Sequence, residues 1–547
     1  MRALLILGVV FLLNCGGMDS YEYEEVESKL TVLTPAPGVW LDQDMIQVTG
    51  EAIQLEDVLF NETNVQIAGN GFFVSKLHPA HGINVFDMSG LDSEDNTHWI
   101  RQTFMAGPAA KPSDKVERAL SVHLGSQGIQ KGLGLIGNDF DSTTLETMVK
   151  TYNPIFDDRV EDVKVRADIQ HLTFDAPIIT ANTTEGYLDF VVLIPNFWLY
   201  IDTDVHIIFE WDLDVEIGSD IYLSGRVAIE PTERGLDIQL DQTSAWLDAF
   251  YVNIDWIPNG IEERHIEPPL MQGIEEALNQ IMTTMVPDLI ADATEELDLR
   301  FDLPVGDSFT AVELGISEVD INKNGIDIAM SYEAEAPAPP SPVPGYLYAG
   351  EAPPSVDPHE ELTVALSDNM VNQLMYTLWA GGSFTQRLST DDETLPLVAG
   401  ILFKSEAVTV EIDAPLPPVL IEHNGKLQMQ IGDLDIAITT PGGEMGETLK
   451  MRVTALMDVD IALADSALKL KPTVTDTFMY VYDSDWGETP FETTALVEET
   501  LPMEVLLGLM GDLVIPMDAL GDLGLELTLD VGRNPSGVHT DLAILLP

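Results

Sequence analysis

The chain has 547 residues, 45% of them hydrophobic, and this length is enough for several domains with separate cores. It carries 92 acidic and 25 basic residues, for a formal net charge of −67 at pH 7. A charge of this sign and size repels phosphate, so we exclude a nucleic-acid-binding protein. Solubility, a cationic partner and divalent ions remain as explanations of the charge.

The first residues have the pattern of an export signal. Arg2 is followed by the apolar run ALLILGVVFLL, which is too short to cross a bilayer. The motif LLNC then ends at Cys15 and resembles the lipobox of bacterial lipoproteins, although Asn14 stands where Gly, Ala or Ser is usual. The resemblance implies a lipoprotein signal peptide over residues 1–14 and acylation of Cys15. It also implies a place in the bacterial cell envelope, anchored to the outer membrane and facing the periplasm or the surface.

The next segments are a short tether and an all-β region. Residues 15–28 are acidic and predict a solvated tether. From 29 to 107, short alternating apolar runs are separated by Pro, Gly and Asn, which predicts β-strands. The sequences TPAPG from Thr34 and GINV from Gly82 resemble parts of a bacterial immunoglobulin-like domain. Such domains are usually spacers, so the resemblance implies no chemistry here.

The rest of the chain is predicted to be a duplicated domain. Residues 116–332 and 362–547 both begin with a short alternating strand, LSVHL from Leu120 and LTVAL from Leu362, and both end in a strand, a turn and a closing strand. Between them, residues 333–361 are dense in proline and predict an extended linker. A recognition peptide for a proline-binding module is the alternative interpretation of that segment.

The sequence KGLGLIGNDF contains a G-x-G-x-x-G motif at Gly132, Gly134 and Gly137, which is typical of a dinucleotide-binding loop. The aligned segment of the second copy has apolar residues at helical spacing, and Gly132 falls in the place of Leu374. A phosphate-binding loop needs its glycines ahead of the helix, with free backbone N–H groups. We therefore predict that the motif lies inside a helix and binds no nucleotide.

Each copy has a second amphipathic segment near its end, at 270–297 and 493–513, and long alternating runs between the two helices. This order predicts an α+β fold class with two tandem elongated domains, each made of long antiparallel strands around two amphipathic helices, after an all-β domain. The order resembles the lipid-binding family of bactericidal/permeability-increasing protein, lipopolysaccharide-binding protein and cholesteryl ester transfer protein, whose domains are tubular lipid-binding (TULIP) folds. LTVALSDNMVNQLMYTLWAGGSF, from Leu362, is the segment that carries the resemblance best. The chain departs from that family in lacking its disulfide and a basic tip.

The resemblance implies that lipid binds in apolar slots between helices and sheet. We expect the chain to bind or shuttle phospholipid or another acylated lipid, with no cofactor, and to reach the membrane through its N-terminal lipid anchor. The residues expected to line the slots are Ile129, Leu133, Ile136, Leu278, Met282 and Met285 in the first copy, and Met370, Leu374, Leu378 and Trp379 in the second. The same residues would also suit filled cores, so the alternative is a structural or adhesive surface lipoprotein that binds protein.

No catalytic motif is recognisable. G-x-S-x-G, H-E-x-x-H, Cys/His pairs and P-loops do not occur in the sequence, so we expect no enzyme. The segment from Asp320 to Ser331 resembles an EF-hand loop, but Ser331 stands where the loop needs Glu. We predict a turn between two strands there, and no metal site.

Overall fold

The computed structural model describes the chain from residue 27 onwards. Within that part it leaves out residues 140–142, 144–145, 148–149, 152, 161–162, 207–209, 233–234, 255–266, 281–282, 284–299, 306–307, 352–355, 357–358, 391–404, 406, 444–445, 465–466, 488, 501–512, 517–527, 534–538 and 546–547. For some residues beside these gaps only the backbone is described.

The N-terminal region is a sandwich of two β-sheets. Its strands are β1 (Lys29–Thr34), β2 (Trp40–Leu41), β3 (Ile46–Ile53), β4 (Glu56–Phe60), β5 (Thr63–Asn64), β6 (Phe72–Leu77), β7 (Gly82–Leu91) and β8 (Thr97–Ala106). One sheet has the order β1-β3-β6 and the other the order β2-β8-β7-β4-β5, with β2 parallel to β8. Val48, Phe73, Phe86 and Phe104 are at most 1% exposed and fill the space between the sheets. The immunoglobulin-like class of this sandwich stays a prediction.

Residues 116–332, which we call the first half, contain a meander of long strands. The elements from the sandwich to the end of this half are β9 (Ala109–Ala110), β10 (Val116–Gly125), α1 (Ser126–Asp139), β11 (Phe156–Val160), β12 (Val163–Thr173), β13 (Ile178–Thr184), β14 (Tyr187–His206), β15 (Glu210–Thr232), β16 (Gly235–Ile254), α2 (Glu267–Gln280), β17 (Arg300–Val305), β18 (Ser308–Asn322) and β19 (Gly325–Ala334). The meander has the order β11-β12-β14-β15-β16, and β13 also pairs with β14. With 23 residues, β15 extends over about 75 Å.

Residues 362–547, the second half, repeat this plan. The elements from the proline-rich segment onwards are β20 (Tyr346–Leu347), β21 (Leu362–Ser367), α3 (Asp368–Ala380), β22 (Gln386–Ser389), β23 (Thr409–Asp413), β24 (Val419–His423), β25 (Lys426–Thr439), β26 (Thr448–Ala464), β27 (Ala467–Ser484), α4 (Pro490–Thr500), β28 (Leu513–Pro516), β29 (Thr528–Arg533) and β30 (His539–Leu545). Its meander has the order β22-β23-β25-β26-β27-β28, and β24 also pairs with β25. The described chain is therefore mostly β-sheet with few helices, in agreement with the predicted α+β class.

A seven-stranded sheet joins the two halves, in the order β17-β18-β19-β10-β21-β30-β29. At its centre, β10 and β21 are antiparallel, with Leu120 opposite Leu366, Val122 opposite Val364 and Leu124 opposite Leu362. The sequence alignment matches Leu120 with Leu362, so each strand pairs with its aligned counterpart in a register centred on the two valines. A twofold relation between the two strands, with its axis at these valines, would give the same register.

The proline-rich segment and the sandwich both pack on the second half. Tyr346 and Leu347 of β20 pair with β9 and are almost fully buried. Leu347 joins one apolar cluster with Ile83 of the sandwich and Val419 of β24. The proline-rich segment is therefore anchored at Tyr346 and Leu347 by β9, the sandwich and β24.

Polar contacts strengthen the interface between the sandwich and the second half. Arg101 donates to Asp87 through Nε (2.8 Å) and Nη2 (3.0 Å), and its Nη1 donates to the carbonyl oxygen of Met479 across the interface (3.1 Å). The Thr103 and Thr454 hydroxyls lie 2.7 Å apart. Charged and hydroxyl groups at an interface of this kind specify its geometry.

Asp433 is a buried carboxylate at the same interface. It is 4% exposed, occupies a bulge in β25 with φ +57°, and its N–H donates to Thr454 Oγ1 (3.1 Å). Arg452 Nε is 3.9 Å from Asp433 Oδ1. Burial raises the pKa of Asp433 to about 6, although Arg452 opposes the shift.

Candidate functional site

The four residues predicted to line the second slot lie together on α3, inside a filled core. Ser367 caps the helix and accepts a hydrogen bond from the N–H of Asn369 (3.2 Å). All 13 residues of α3 are buried. Met370, Leu374, Leu378 and Trp379 are between 1% and 8% exposed and belong to one cluster that continues across both sheets of this half.

The polar side of α3 is also extensively hydrogen-bonded, although Gln373 Oε1 has no partner among the described residues. Asn372 donates from Nδ2 to the carbonyl oxygens of Leu347 (3.2 Å) and Leu420 (3.0 Å), and its Oδ1 accepts from the Leu420 N–H (2.6 Å). Gln373 Nε2 donates to the carbonyl oxygens of Pro112 (2.7 Å) and Asp114 (3.0 Å). These bonds explain how a helix with polar residues can be buried on every side.

The equivalent helix of the first half, α1, is amphipathic and partly exposed. Ile129 is 6% exposed and Leu133 is half-buried, and both pack with Ile321 and Ile326 at the hairpin of β18 and β19. Gln130 and Lys131 are exposed on its opposite side. Of the predicted residues of the first slot, these two apolar side chains are brought together.

The other predicted residues of the first slot either lie in a different cluster or are outside the described part of the chain. Leu278 lies on α2, 6% exposed, and packs with Ile274 against the inner face of the long meander, in a different cluster from that of α1. Ile136 lies on α1, but its side chain is outside the described part. Met282 and Met285 are outside the described residues, as is the predicted lipid attachment site, Cys15.

The glycine motif lies in the interior of α1, so the prediction that it forms part of a helix is confirmed. When Leu120 is aligned with Leu362, Gly128 aligns in sequence with Met370 and Gly132 aligns with Leu374. A Cβ atom at Gly128 would meet the carbonyl oxygen of Glu361 at 2.2 Å, so the backbone occupies that space. At Gly132, by contrast, no described atom lies within 4 Å of the Cβ position. Among the described residues, nothing in the first half occupies the place that a leucine fills in the second.

The helices α1 and α3 each make an equivalent side-chain contact with a short strand, which was not predicted from the sequence. Gln130 Nε2 donates to the carbonyl oxygen of Ile179 on β13 (2.7 Å), and Gln130 Oε1 accepts from the Ala181 N–H (3.3 Å). Asn372, its aligned counterpart, binds the N–H and carbonyl of Leu420 on β24 in the same way. In both halves a side-chain amide thus holds a short strand of the meander to the first helix. An amide at the same aligned position in both copies was the available signal.

None of the ten predicted lipid-contacting residues lines any of four cavities that described residues form. Two have a volume of 590 Å³, and the others have volumes of 510 and 340 Å³. One of the 590 Å³ cavities lies beside β10 and β20 and is lined by both charged and tyrosine side chains, including Lys115, Arg118, Glu318, Tyr346 and Tyr348. Its mixed charges suit water or a small polar molecule better than an acyl chain.

The segment that resembles an EF-hand forms the predicted turn. Lys323 and Asn324 connect β18 to β19, and Asn322 Nδ2 donates to Asp320 Oδ2 (3.1 Å) and Asp327 Oδ2 (2.9 Å). Within the described part of the chain, no three His, Cys, Asp or Glu side chains are grouped as a metal site would require. In the same part, no helix has the length and apolarity needed to cross a membrane.

No protein-family model matches the chain, and no curated protein matches it. Among solved structures, the chain is similar to a crystal structure of lipopolysaccharide binding protein, with a TM-score of 0.42 and 11% identity over 79% of this chain and 99% of that chain. It is also similar to P47 from Clostridium botulinum A2, with a TM-score of 0.24 and 8% identity over 78% of this chain and 98% of that chain.

Proposed function

We propose that this protein is a lipoprotein of a bacterial cell envelope that binds or shuttles phospholipid or another acylated lipid, and that the lipid binds in the first half. The choice of ligand class follows the sequence resemblance to tubular lipid-binding domains. The observation that carries the proposal is the difference between the two aligned helices. No described atom fills the space beside Gly132, whereas Leu374, its aligned counterpart, is packed in the core of the second half.

The acyl chain would lie between α1 and the sheet, against Ile129 and Leu133. Each methylene removed from water contributes about 0.8 kcal/mol, so a chain needs only an apolar surface and no catalytic group. The headgroup would remain in water. Leu278 of α2 would contact a more distant part of the ligand, since it packs on the meander rather than on α1.

Mass spectrometry of protein purified without detergent tests this proposal. We would use the Cys15→Ala protein, so that acyl groups attached to the anchor do not contribute to the signal, and this change should also release the protein from membranes. The purified protein should carry non-covalent acyl lipid. Gly132→Leu should reduce the lipid-bound fraction at least severalfold, because its side chain would occupy the open space.

Gly69→Leu is the matched control, since Gly69 also has no described atom within 4 Å of its Cβ position but lies in the N-terminal sandwich. It should leave the lipid-bound fraction unchanged. Equal lipid loading of the Gly132→Leu and Gly69→Leu proteins would refute the assigned site. A protein with no lipid in any form would refute lipid binding as such.

The filled core around α3 favours a second candidate function. The described residues around α3 pack closely together, and a half of this kind is suited to a structural or adhesive role, in which the protein binds another protein through its surface. Absence of lipid from the purified protein would favour this candidate.

A further inference from the structure

The outer face of the first-half meander carries a band of exposed aromatic side chains. Tyr187, Trp198, Tyr200, Trp246 and Tyr251 are between 37% and 54% exposed, and all lie on β14 or β16. Among the described residues, only one other large aromatic side chain, Phe491, is exposed to that degree. Exposed apolar surface concentrated in this way is typical of a binding site.

Cross-strand pairing brings these rings together. Trp198 and Tyr251 both pair with Gly218 of β15, and their rings meet edge to face at 6.3 Å. A Cβ atom at Gly218 would lie 3.0 Å from the Trp198 ring, so the ring lies over a position that only glycine leaves free. Further along β15, Tyr222 pairs with Trp246, and the two rings are stacked at 5.1 Å.

Carboxylates surround the band. The strands β14, β15 and β16 contain twelve acidic residues and one basic residue, Arg226. Asp202 lies opposite Asp214, and Asp220 lies opposite Asp248. Like charges in opposite positions destabilise a sheet, and a cation between them would relieve the repulsion.

Arg226 shows how this face holds a cation. Its Nε and Nη2 donate to the two carboxylate oxygens of Asp189 at 2.6 and 3.2 Å, and its guanidinium carbon lies 5.0 Å from the centre of the Tyr187 ring. The hydrogen bond from Arg226 lowers the pKa of Asp189. Trp198 lies opposite Gly218, and Glu216 and Asp220 flank that glycine on the same face of β15. Glu216 accepts a hydrogen bond from Asn253 Nδ2 (3.2 Å) and Asp220 accepts one from the Asn196 N–H (2.9 Å), but neither is in an ion pair with a described residue.

We infer that the outer face of β14, β15 and β16 docks a segment of a partner protein that is rich in arginine or lysine. The rings would contact the cations through their faces and the carboxylates would neutralise them, as Tyr187 and Asp189 do for Arg226. Charge complementarity argues for this occupant, since the chain carries a net charge of −67 and all but one of the charged residues of these strands are acidic. The inference concerns the outer face and is independent of lipid binding.

Titration with a synthetic octa-arginine peptide tests the inference. The full-length protein should bind the peptide at about 0.15 M salt, where attraction by distant surface charges is largely screened. The Trp198→Ala/Tyr251→Ala protein should bind about tenfold more weakly, because two cation–π contacts are lost. Tyr251→Ala alone, at the most exposed of the rings, should show a smaller loss and is the variant to use if the double change disturbs the strand over Gly218.

Ile178→Ala is the matched control, because Ile178 is 55% exposed on β13 of the same sheet but offers no aromatic face. Its affinity for the peptide should equal that of the unchanged protein. Equal affinity of the aromatic variants would overturn the inference, because net charge alone would then explain binding. Failure of the unchanged protein to bind the peptide would also overturn it, as would binding of a neutral glycan or phosphatidylcholine vesicles that requires Trp198 while peptide binding does not.

Discussion

The helices α1 and α3 follow aligned strands of the same central sheet, yet their surroundings differ. All of α3 is buried, with its polar side bonded to the proline-rich segment, to the residues before β10 and to β24. In α1, one side is exposed to water and a glycine stands where the second half has a leucine. Among the described residues, a strand followed by a helix is thus packed on every side in the second half and unfilled beside Gly132 in the first.

The largest expected effect is on the filled core of the second half. Trp379→Ala should destabilise the protein by about 3 to 5 kcal/mol, since it removes a fully buried ring and its hydrogen bond from Nε1 to the carbonyl oxygen of Ala414. Leu133→Ala, at the half-buried side of α1, should cost about 1 kcal/mol. Urea unfolding of the two variants measures the difference. Similar losses would show that the two helices are equally well packed.

The amide contacts provide a second comparison. Asn372→Ala should cost about 3 kcal/mol, because it leaves buried backbone groups of Leu347 and Leu420 without partners. Gln130→Ala should cost less than about 1 kcal/mol, because water can replace its bonds to β13 at the exposed side of α1. Thermal unfolding of both variants tests this, and an equal shift of their midpoints would contradict the proposed difference in water access.

The smallest of the three effects depends on pH. The pKa of Asp433 is raised to about 6 in the folded protein, so the folded state binds this proton more tightly than the unfolded state. Its contribution to stability therefore falls as pH rises from about 4 to about 6 and is fully unfavourable above that. Asp433→Asn should stabilise the protein by about 2 kcal/mol at pH 7 and have little effect at pH 4. Urea midpoints at the two pH values measure this, and a gain independent of pH would exclude the carboxylate as its cause.

Much of the secondary structure followed from local pattern. Alternation predicted the strands of the sandwich and both meanders, and the apolar spacing from Met370 predicted α3. The placement of Gly132 inside a helix was correct because its aligned counterpart, Leu374, lies on an unmistakable apolar face. Long alternating runs and repeated strands are signals that one sequence carries by itself.

Whether the predicted residues line a lipid slot or a core did not follow from the sequence pattern. Met370 and Leu374 have the spacing that either a lipid slot or a core would require, and only the surrounding elements distinguish the two. The exposure of the Trp198 and Tyr251 rings could not be predicted from the sequence either, because alternation does not say which face of a strand is covered.

The sequence by itself determined many of the elements and their order, because hydrophobic periodicity and turn residues act over short distances along the chain. Only the tertiary structure decided that β10 and β21 share a sheet, that the sandwich docks beside Asp433, and that α3 is sealed while α1 is not. These outcomes depend on contacts between residues far apart in sequence, such as Gln373 with Pro112, whose free energy is set by burial and mutual geometry rather than by either residue alone.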